Sequence, residues 1–331
     1  MAAAAIAAAP SGGPEGEMLI LVLSAEKDAW VSALGALGAS GDASGAQRLG
    51  LLFQAIAGFA ASHVAFSPAN RIGVVGFGSG WSEQLLPAPG EALSSAQGAA
   101  LPHAAVAGFC RRRLGIEVVG AADAGADASS TGSTPGQVEE LGEQGAPVAA
   151  GAGTSRSGLP SALSRAALVC MRHRREVPGA SRRILVVAPG AGTEGAYVPL
   201  LNCAFAARDA GVTIDVVTAA PAEETVFLQQ VAHETKGAFA PLTRISVKSP
   251  LQHLFLCAGP SASARDVLAP PLQKGVDLRA SCMLTGERLS LAFVCFVCLS
   301  VFRDRHDECP ICHTKAPEAS AAKRPKLEPK A

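Results

Sequence analysis

The chain has 331 residues with 28 basic and 28 acidic side chains, so no net charge draws it onto nucleic acid or an anionic membrane. Hydrophobic residues make up 49% but aromatics only 5%, much of the apolar content being alanine, and no run of large apolar residues reaches the roughly 18 of a membrane span. That length suits one large α/β domain with a small appended module, and nine cysteines, an odd count, favour a reducing compartment over a disulfide framework.

The opening MAAAAIAAAP lacks the basic start of a signal peptide, and residues 1–16 are expected to be a disordered lead. Met18 to Ser24, MLILVLS, is a continuous apolar run of the kind that fills a central strand covered on both faces. Ser24-Ala25-Glu26-Lys27-Asp28 reads as a solvated loop, and Gly35 to Gly45 as a Gly/Ala/Ser loop. Leu49, Leu52, Phe53, Ile56, Phe59 and His63 recur at three- and four-residue steps, predicting a helix stopped at Ser67-Pro68. Ile72 to Phe77 predicts a second buried strand, with SGWSEQLLP as a neighbouring edge hairpin.

Glu91 to Gly158 offers one strand candidate, Ile116 to Val119, followed by small and acidic residues that cannot bury enough surface to order themselves. Residues 120–153 are therefore expected to be a disordered insertion. Leu159 onward predicts a helix with Leu163, Ala166, Ala167, Cys170 and Met171 on its inner face, ending in the basic cluster Arg172 to Arg175. Strands at Ile184–Pro189 and Thr213–Ala219 flank a helix from Leu200 to Ala210 stopped by Gly211. A helix over Glu223–Lys236 with Gly237 as terminator, a short strand over Ala238–Leu242 and a helix over Ser249–Cys257 complete the domain. The alternation predicts a doubly wound, mainly parallel sheet with helices on both faces. Its bounds are taken as 17–260, with a linker over 261–281, a metal-binding module over 282–316 and a basic tail over 317–331 that contains Lys323-Arg324-Pro325-Lys326, a pattern like a nuclear-import signal.

Eighteen residues near the end, CFVCLSVFRDRHDECPIC, carry the chemistry. Cys295/Cys298 and Cys309/Cys312 are CxxC pairs ten residues apart, a spacing that lets two tight turns aim four thiolates at one tetrahedral ion at about 2.3 Å. Filling all four places with sulfur leaves none for water or substrate, so the zinc expected here is structural. Disulfides, a redox CxxC, and a Cys₃His set drawing on His306 or His313 are the competing readings. Leu289 to Phe302 is too short for a membrane span and runs into RDRHDE.

The α/β part shows no comparable site. The end of its first strand, where ligands of such sheets sit, has no glycine-rich phosphate loop. Ser24, Glu26 and Asp28 could gather oxygen ligands, but Lys27 lies among them. Gly76 to Gly80 and Pro189 to Gly195 read as turns. His63, His103, His173, His233 and His253 are scattered, and Cys110, Cys170, Cys203 and Cys257 read as core thiols. Arg111-Arg112-Arg113 reads as a charged helix end as readily as a nucleic-acid contact.

In order along the chain, NRIGVVGFGSG, RRILVVAP, GVTIDVV, DLRASC, then VCFVCLSVF and CPIC resemble the family of subunit three of general transcription factor IIH. The resemblance covers most of Met18 to Cys312, and Phe293 to Phe302 is its most specific part. It implies a von Willebrand A-like domain followed by a C4 zinc finger in which Cys295, Cys298, Cys309 and Cys312 hold a structural zinc. It also implies a nuclear, non-enzymatic subunit of the TFIIH core, acting in RNA polymerase II initiation and nucleotide excision repair. Its partners would be other core subunits, especially the larger subunit bearing a von Willebrand A domain. Two departures are evident. Only Cys282 remains of the Cys-Phe-Cys-His run that the family commonly carries, Leu284 and Thr285 filling the later places, and the Asp-x-Ser-x-Ser set of adhesion domains is missing at Ser24–Asp28. A RING-like ubiquitin ligase is the alternative, although Cys282, His306, His313 and the four cysteines make seven candidate ligands where such a module needs eight.

Overall fold

The computed structural model describes residues 16–38, 44–87, 100–118, 157–190, 197–220, 225–243, 245–259, 265, 279–285 and 287–315. The expected lead, the insertion over 120–153, most of the linker and the basic tail lie outside them. The chain divides into two units, 1–276 and 277–331.

In the first unit the strands β1 (Glu17–Ser24), β2 (Arg71–Gly78), β3 (Trp81–Leu86), β4 (Ser181–Ala188), β5 (Thr213–Thr218) and β6 (Phe239–Pro241) form one sheet in the order β3-β2-β1-β4-β5-β6. All neighbours are parallel except β3, which pairs antiparallel with β2 at the edge. This is the doubly wound order with its reversal beside β1, the mainly parallel sheet expected from the alternation of strands and helices. β1 is buried along its whole length, and its period of two divides it between two cores. Leu19, Leu21 and Leu23 pack under α1 (Lys27–Ala36), α2 (Gly45–Phe66), α3 (Ala100–Phe109) and α7 (Pro250–Ala258). Met18, Ile20 and Val22 face α4 (Leu159–Glu176), α5 (Tyr197–Asp209) and α6 (Val226–Glu234).

The predicted face of α2 is buried in full, from Leu49 to His63. A reciprocal box starts the helix, the Ser44 and Gln47 side chains each accepting the other's backbone N–H, at 2.8 Å on Gln47 and 3.3 Å on Ser44. α2 has the length and composition to cross a bilayer, but half of its most apolar window is buried inside this unit.

Several expectations need correction. Lys27 and Asp28, expected in a loop, begin α1, a helix whose inner face has only Trp30 and Leu34, too few apolar residues to show a period. Gly35 therefore lies in a helix, and Gly45 begins the next one. Ile116 to Val118 forms no strand; α3 precedes it, continuing through one π-helical turn at Cys110–Leu114 to a left-handed Gly115 (φ 62). On α4 the buried stripe is Leu159, Ala162, Leu163, Ala166, Val169, Cys170 and His173, while Ala167 is half-buried and Met171 exposed. Gly76 and Gly78 belong to β2, and a Cβ on Gly76 would lie 2.5 Å from the Phe109 ring, so close approach and not turning requires glycine there. The left-handed residue that ends α6 is Lys236 (φ 58), and Gly237 is needed because a Cβ would strike the Ile214 carbonyl.

Charged side chains interrupt the apolar interior strands β1, β4 and β5 toward their amino ends. Arg183 reaches Glu17 at 3.0 Å and Asp215 at 3.3 Å and donates to the Ala258 carbonyl, and Arg265 forks onto Asp215. Two carboxylates and two guanidiniums balance, which is the condition under which buried charge is tolerated. Arg265 belongs to the segment expected to be linker, so at least this residue of it is bound into the first unit.

Candidate metal centre

The second unit is built from two-residue strands, β7 (Ala280–Ser281) with β8 (Arg288–Leu289) and β9 (Phe293–Val294) with β10 (Val301–Phe302), each pair antiparallel. So little sheet cannot support a core of its own, and the unit's stability has to come from elsewhere. Two tight turns dominate it. In the first, the Leu299 N–H donates to the Cys295 carbonyl at 3.0 Å and the Cys295 N–H to the Ser300 carbonyl at 2.9 Å. In the second, His313 donates to Cys309 at 2.8 Å and Cys309 to Thr314 at 2.9 Å. Leu299 and His313 occupy the same place in the two turns and both are left-handed, with φ of 59 and 56. The second turn repeats the first.

The repetition brings Cys295, Cys298, Cys309 and Cys312 together, their sulfurs all within 4.8 Å of one another. Cys295 and Cys312 are 3.6 Å apart, as are Cys298 and Cys309. Four thiolates at about 2.3 Å from one ion form a tetrahedron with edges of about 3.8 Å, so this spacing fits a single bound metal with all positions taken. Both edges run between the turns, so neither turn could hold the ion alone.

Without metal the thiols differ sharply. Burial pushes Cys309 up to about 12, whereas the Thr314 hydroxyl and N–H bring Cys312 down to about 6. Cys295 is lowered by the N–H groups of Cys298 and Val297. A divalent ion at the centre would deprotonate all four.

The other candidates fall outside this cluster. Among the described residues, the four cysteines are the one group of three or more His, Cys, Asp or Glu placed to share an ion. His306 stacks edge-on against Phe302, and His313 lies 3.5 Å from Glu308. Cys282 shares one hydrogen bond of those turns, its N–H donating at 2.8 Å to the carbonyl of Glu287, five residues on as in the other two. Thr285 stands where the second thiol would be. Burial alone would raise the Cys282 thiol, but it is outweighed by the Thr285 hydroxyl and by the N–H groups of Leu284, Thr285 and Arg303. A single cysteine followed by Thr285 and Gly286, without a pair, carries no spacing signal for this arrangement.

At the carboxyl ends of β1 and β2 a cleft of about 680 Å³ is lined by Glu26, Lys27, Asp28, Ser79, Trp81 and Arg112, among others. Burial raises the Glu26 carboxyl against a hydrogen bond from Ser79. Ser24 ends β1 and is buried, its carbonyl accepting the Trp30 indole N–H at 3.2 Å. Of the three sequence candidates, Glu26 and Asp28 line this cleft, while the Ser24 hydroxyl accepts the Glu26 N–H at 3.3 Å. The histidines are dispersed: His63 and His173 are buried within helices and His253 lies beside Cys257. Cys110, Cys170 and Cys257 are buried thiols and Cys203 is half-buried.

Residues 17–313 match the family described as Transcription factor Tfb4. A general transcription and DNA repair factor IIH subunit TFB4 from Candida glabrata is 31% identical over 176 residues, 51% of this chain and 52% of that protein. General transcription factor IIH subunit 3 from Dictyostelium discoideum is 31% identical over 159 residues, 48% of this chain and 42% of that protein. The chain thus spans about half the length of the curated relatives it matches. A crystal structure of the TFIIH p34 N-terminal domain aligns over 72% of this chain and 95% of that one, at 18% identity and a TM-score of 0.47. With the family match running from the first strand of the sheet through the last cysteine of the cluster, the chain belongs to the Transcription factor Tfb4 family.

Proposed function

We propose that this chain is a non-catalytic, architectural subunit of the TFIIH core, serving RNA polymerase II initiation and nucleotide excision repair in the nucleus through protein–protein contacts. The family match across 17–313 carries this reading. Its relatives, factor IIH subunits of transcription and DNA repair, support it. Its partners on this reading are other core subunits, foremost the larger one bearing a von Willebrand A domain. Neutral overall charge supports binding by shape and gives no general affinity for nucleic acid.

Zinc is the metal we assign to Cys295, Cys298, Cys309 and Cys312, since an all-thiolate tetrahedron favours it over harder ions. Its task is folding. The short strands of residues 279–315 would be held by the ion in the way a hydrophobic core holds a larger domain. The organisation we propose is an A-like domain over 17–260, a linker over 261–281 and a zinc module over 282–316.

A tagged full chain recovered from nuclear extract should bring TFIIH helicase subunits with it and contain one zinc. Recovery of ubiquitin-conjugating enzymes with two zincs per chain would instead select the ligase reading.

A further inference from the structure

The two metal-binding turns share a feature that backbone geometry does not demand. The fifth residue after the first cysteine gives its carbonyl to that cysteine's N–H, and in both turns this residue bears a hydroxyl: Ser300 and Thr314. Ser300 Oγ lies 3.1 Å from Cys298 Sγ, and Thr314 Oγ1 lies 3.3 Å from Cys312 Sγ. Each hydroxyl therefore sits on the second sulfur of its own pair. The first sulfurs have different neighbours. Cys295 faces the N–H groups of Val297 and Cys298, and Cys309 those of Ile311 and Cys312. Those donors come from the main chain and survive any side-chain change. The hydroxyls beside Cys298 and Cys312 do not, although Cys312 also meets the Thr314 N–H.

Once an ion is bound the sulfurs are thiolates and can only accept, while a hydroxyl has one proton to give. Ser300 is buried, so its proton has no ready alternative in water. Four thiolates around a divalent ion leave the site with two surplus negative charges, and donors to sulfur spread that charge. The Cys282 turn serves as an internal comparison. It contains a single sulfur and stands outside the metal cluster, and its fifth residue is Glu287, which has no proton to offer at neutral pH.

We propose that Ser300 and Thr314 are positioning residues, whose hydroxyls donate to the metal-bound Cys298 and Cys312 thiolates and determine how firmly the site retains its ion. The proposal rests on the assignment of zinc to the four cysteines. Outer-shell partners of this kind typically change metal affinity by about 10–100-fold.

The test uses the full chain and its Ser300→Ala and Thr314→Val variants, the second retaining the shape of threonine. Wild-type zinc content is measured first, and absence of zinc there would refute the metal assignment itself. Given one zinc in the wild type, each variant should load fully but yield its ion to a competing chelator at about 10–100-fold lower chelator concentration. Ser300→Thr and Thr314→Ser should restore retention. With cobalt(II) in place of zinc, losing a donor should shift the thiolate-to-metal charge-transfer band to longer wavelength, a change that mere loosening of the turn would not produce. Wild-type retention and an unshifted band in both variants would overturn the proposal while leaving the zinc assignment intact.

Discussion

Arg265 lays both terminal nitrogens on the two carboxylate oxygens of Asp215, each at 2.7 Å, fifty residues away in sequence. Asp215 also accepts the Ala238 N–H at 2.7 Å and meets Arg183, so one carboxylate ties β5, β4 and the segment after α7 together. Removing it would take the paired carboxylate from Arg265 and one of the two carboxylates that Arg183 meets, and breaking a buried ion pair from one side costs about 3–5 kcal/mol. Asp215→Ala is expected to lose that much in urea denaturation of the full chain. Arg265→Ala leaves the carboxylate with Arg183 and should lose less, about 1.5–3 kcal/mol. Equal losses would show that Arg183 does not share the load.

His63 sits in the same region, 3.8 Å from Glu17. Burial holds its pKa below the ordinary 6.5; Glu17 opposes that shift and Arg183 adds to it. The unfolded chain therefore takes up a proton near 6.5 while the folded chain still refuses it, so stability is full above that pH and falls as pH drops below it. His173 and His253 are lowered by burial too and act in the same direction. Melting temperature should decline on acidification through this range, and His63→Gln should make the decline shallower. An unaltered slope in that variant would remove His63 from the account.

Runs of large apolar residues made the buried strands and α2 legible, because a strand covered on both faces, or a helix with a wide apolar stripe, has to spell its burial out. α1 escaped because Trp30 and Leu34 are its whole buried set. The ionic network escaped for the opposite reason. Arg183 and Asp215 each look like one charge in an apolar strand, and nothing local says that they meet. The CxxC spacing picked out the four cysteines that the structure brings together, yet the left-handed turns and the hydroxyls beside sulfur are three-dimensional facts that the spacing did not announce.

Glycines separate two effects that a composition count merges. Gly35 lies within α1 with open space where a Cβ would be. Gly35→Ala should stabilise the fold by about 0.5–1 kcal/mol through the helical entropy it saves. At Gly76 the same methyl would enter the Phe109 ring at 2.5 Å. Overpacking of that kind costs about 1–3 kcal/mol, so Gly76→Ala should lower the melting temperature where Gly35→Ala raises it. Parallel shifts in both variants would mean that contact with Phe109 is readily relieved.

Cys282 and Cys298 should part company on substitution. Cys298 Sγ stands 3.6 Å from Cys309 Sγ across the two turns, so Cys298→Ser removes a vertex of the tetrahedron and leaves the ion three sulfurs and an open place. Metal content after gel filtration should fall to a small fraction of the wild-type level, with the far-ultraviolet dichroism of the α/β unit preserved. Cys282 already has donors filling the room around its sulfur, and Thr285 occupies the place of a second ligand. Cys282→Ser should therefore keep its zinc. Losing the metal there as completely as in Cys298→Ser would mean that the Cys282 turn braces the site, and that four sulfurs alone do not hold the ion.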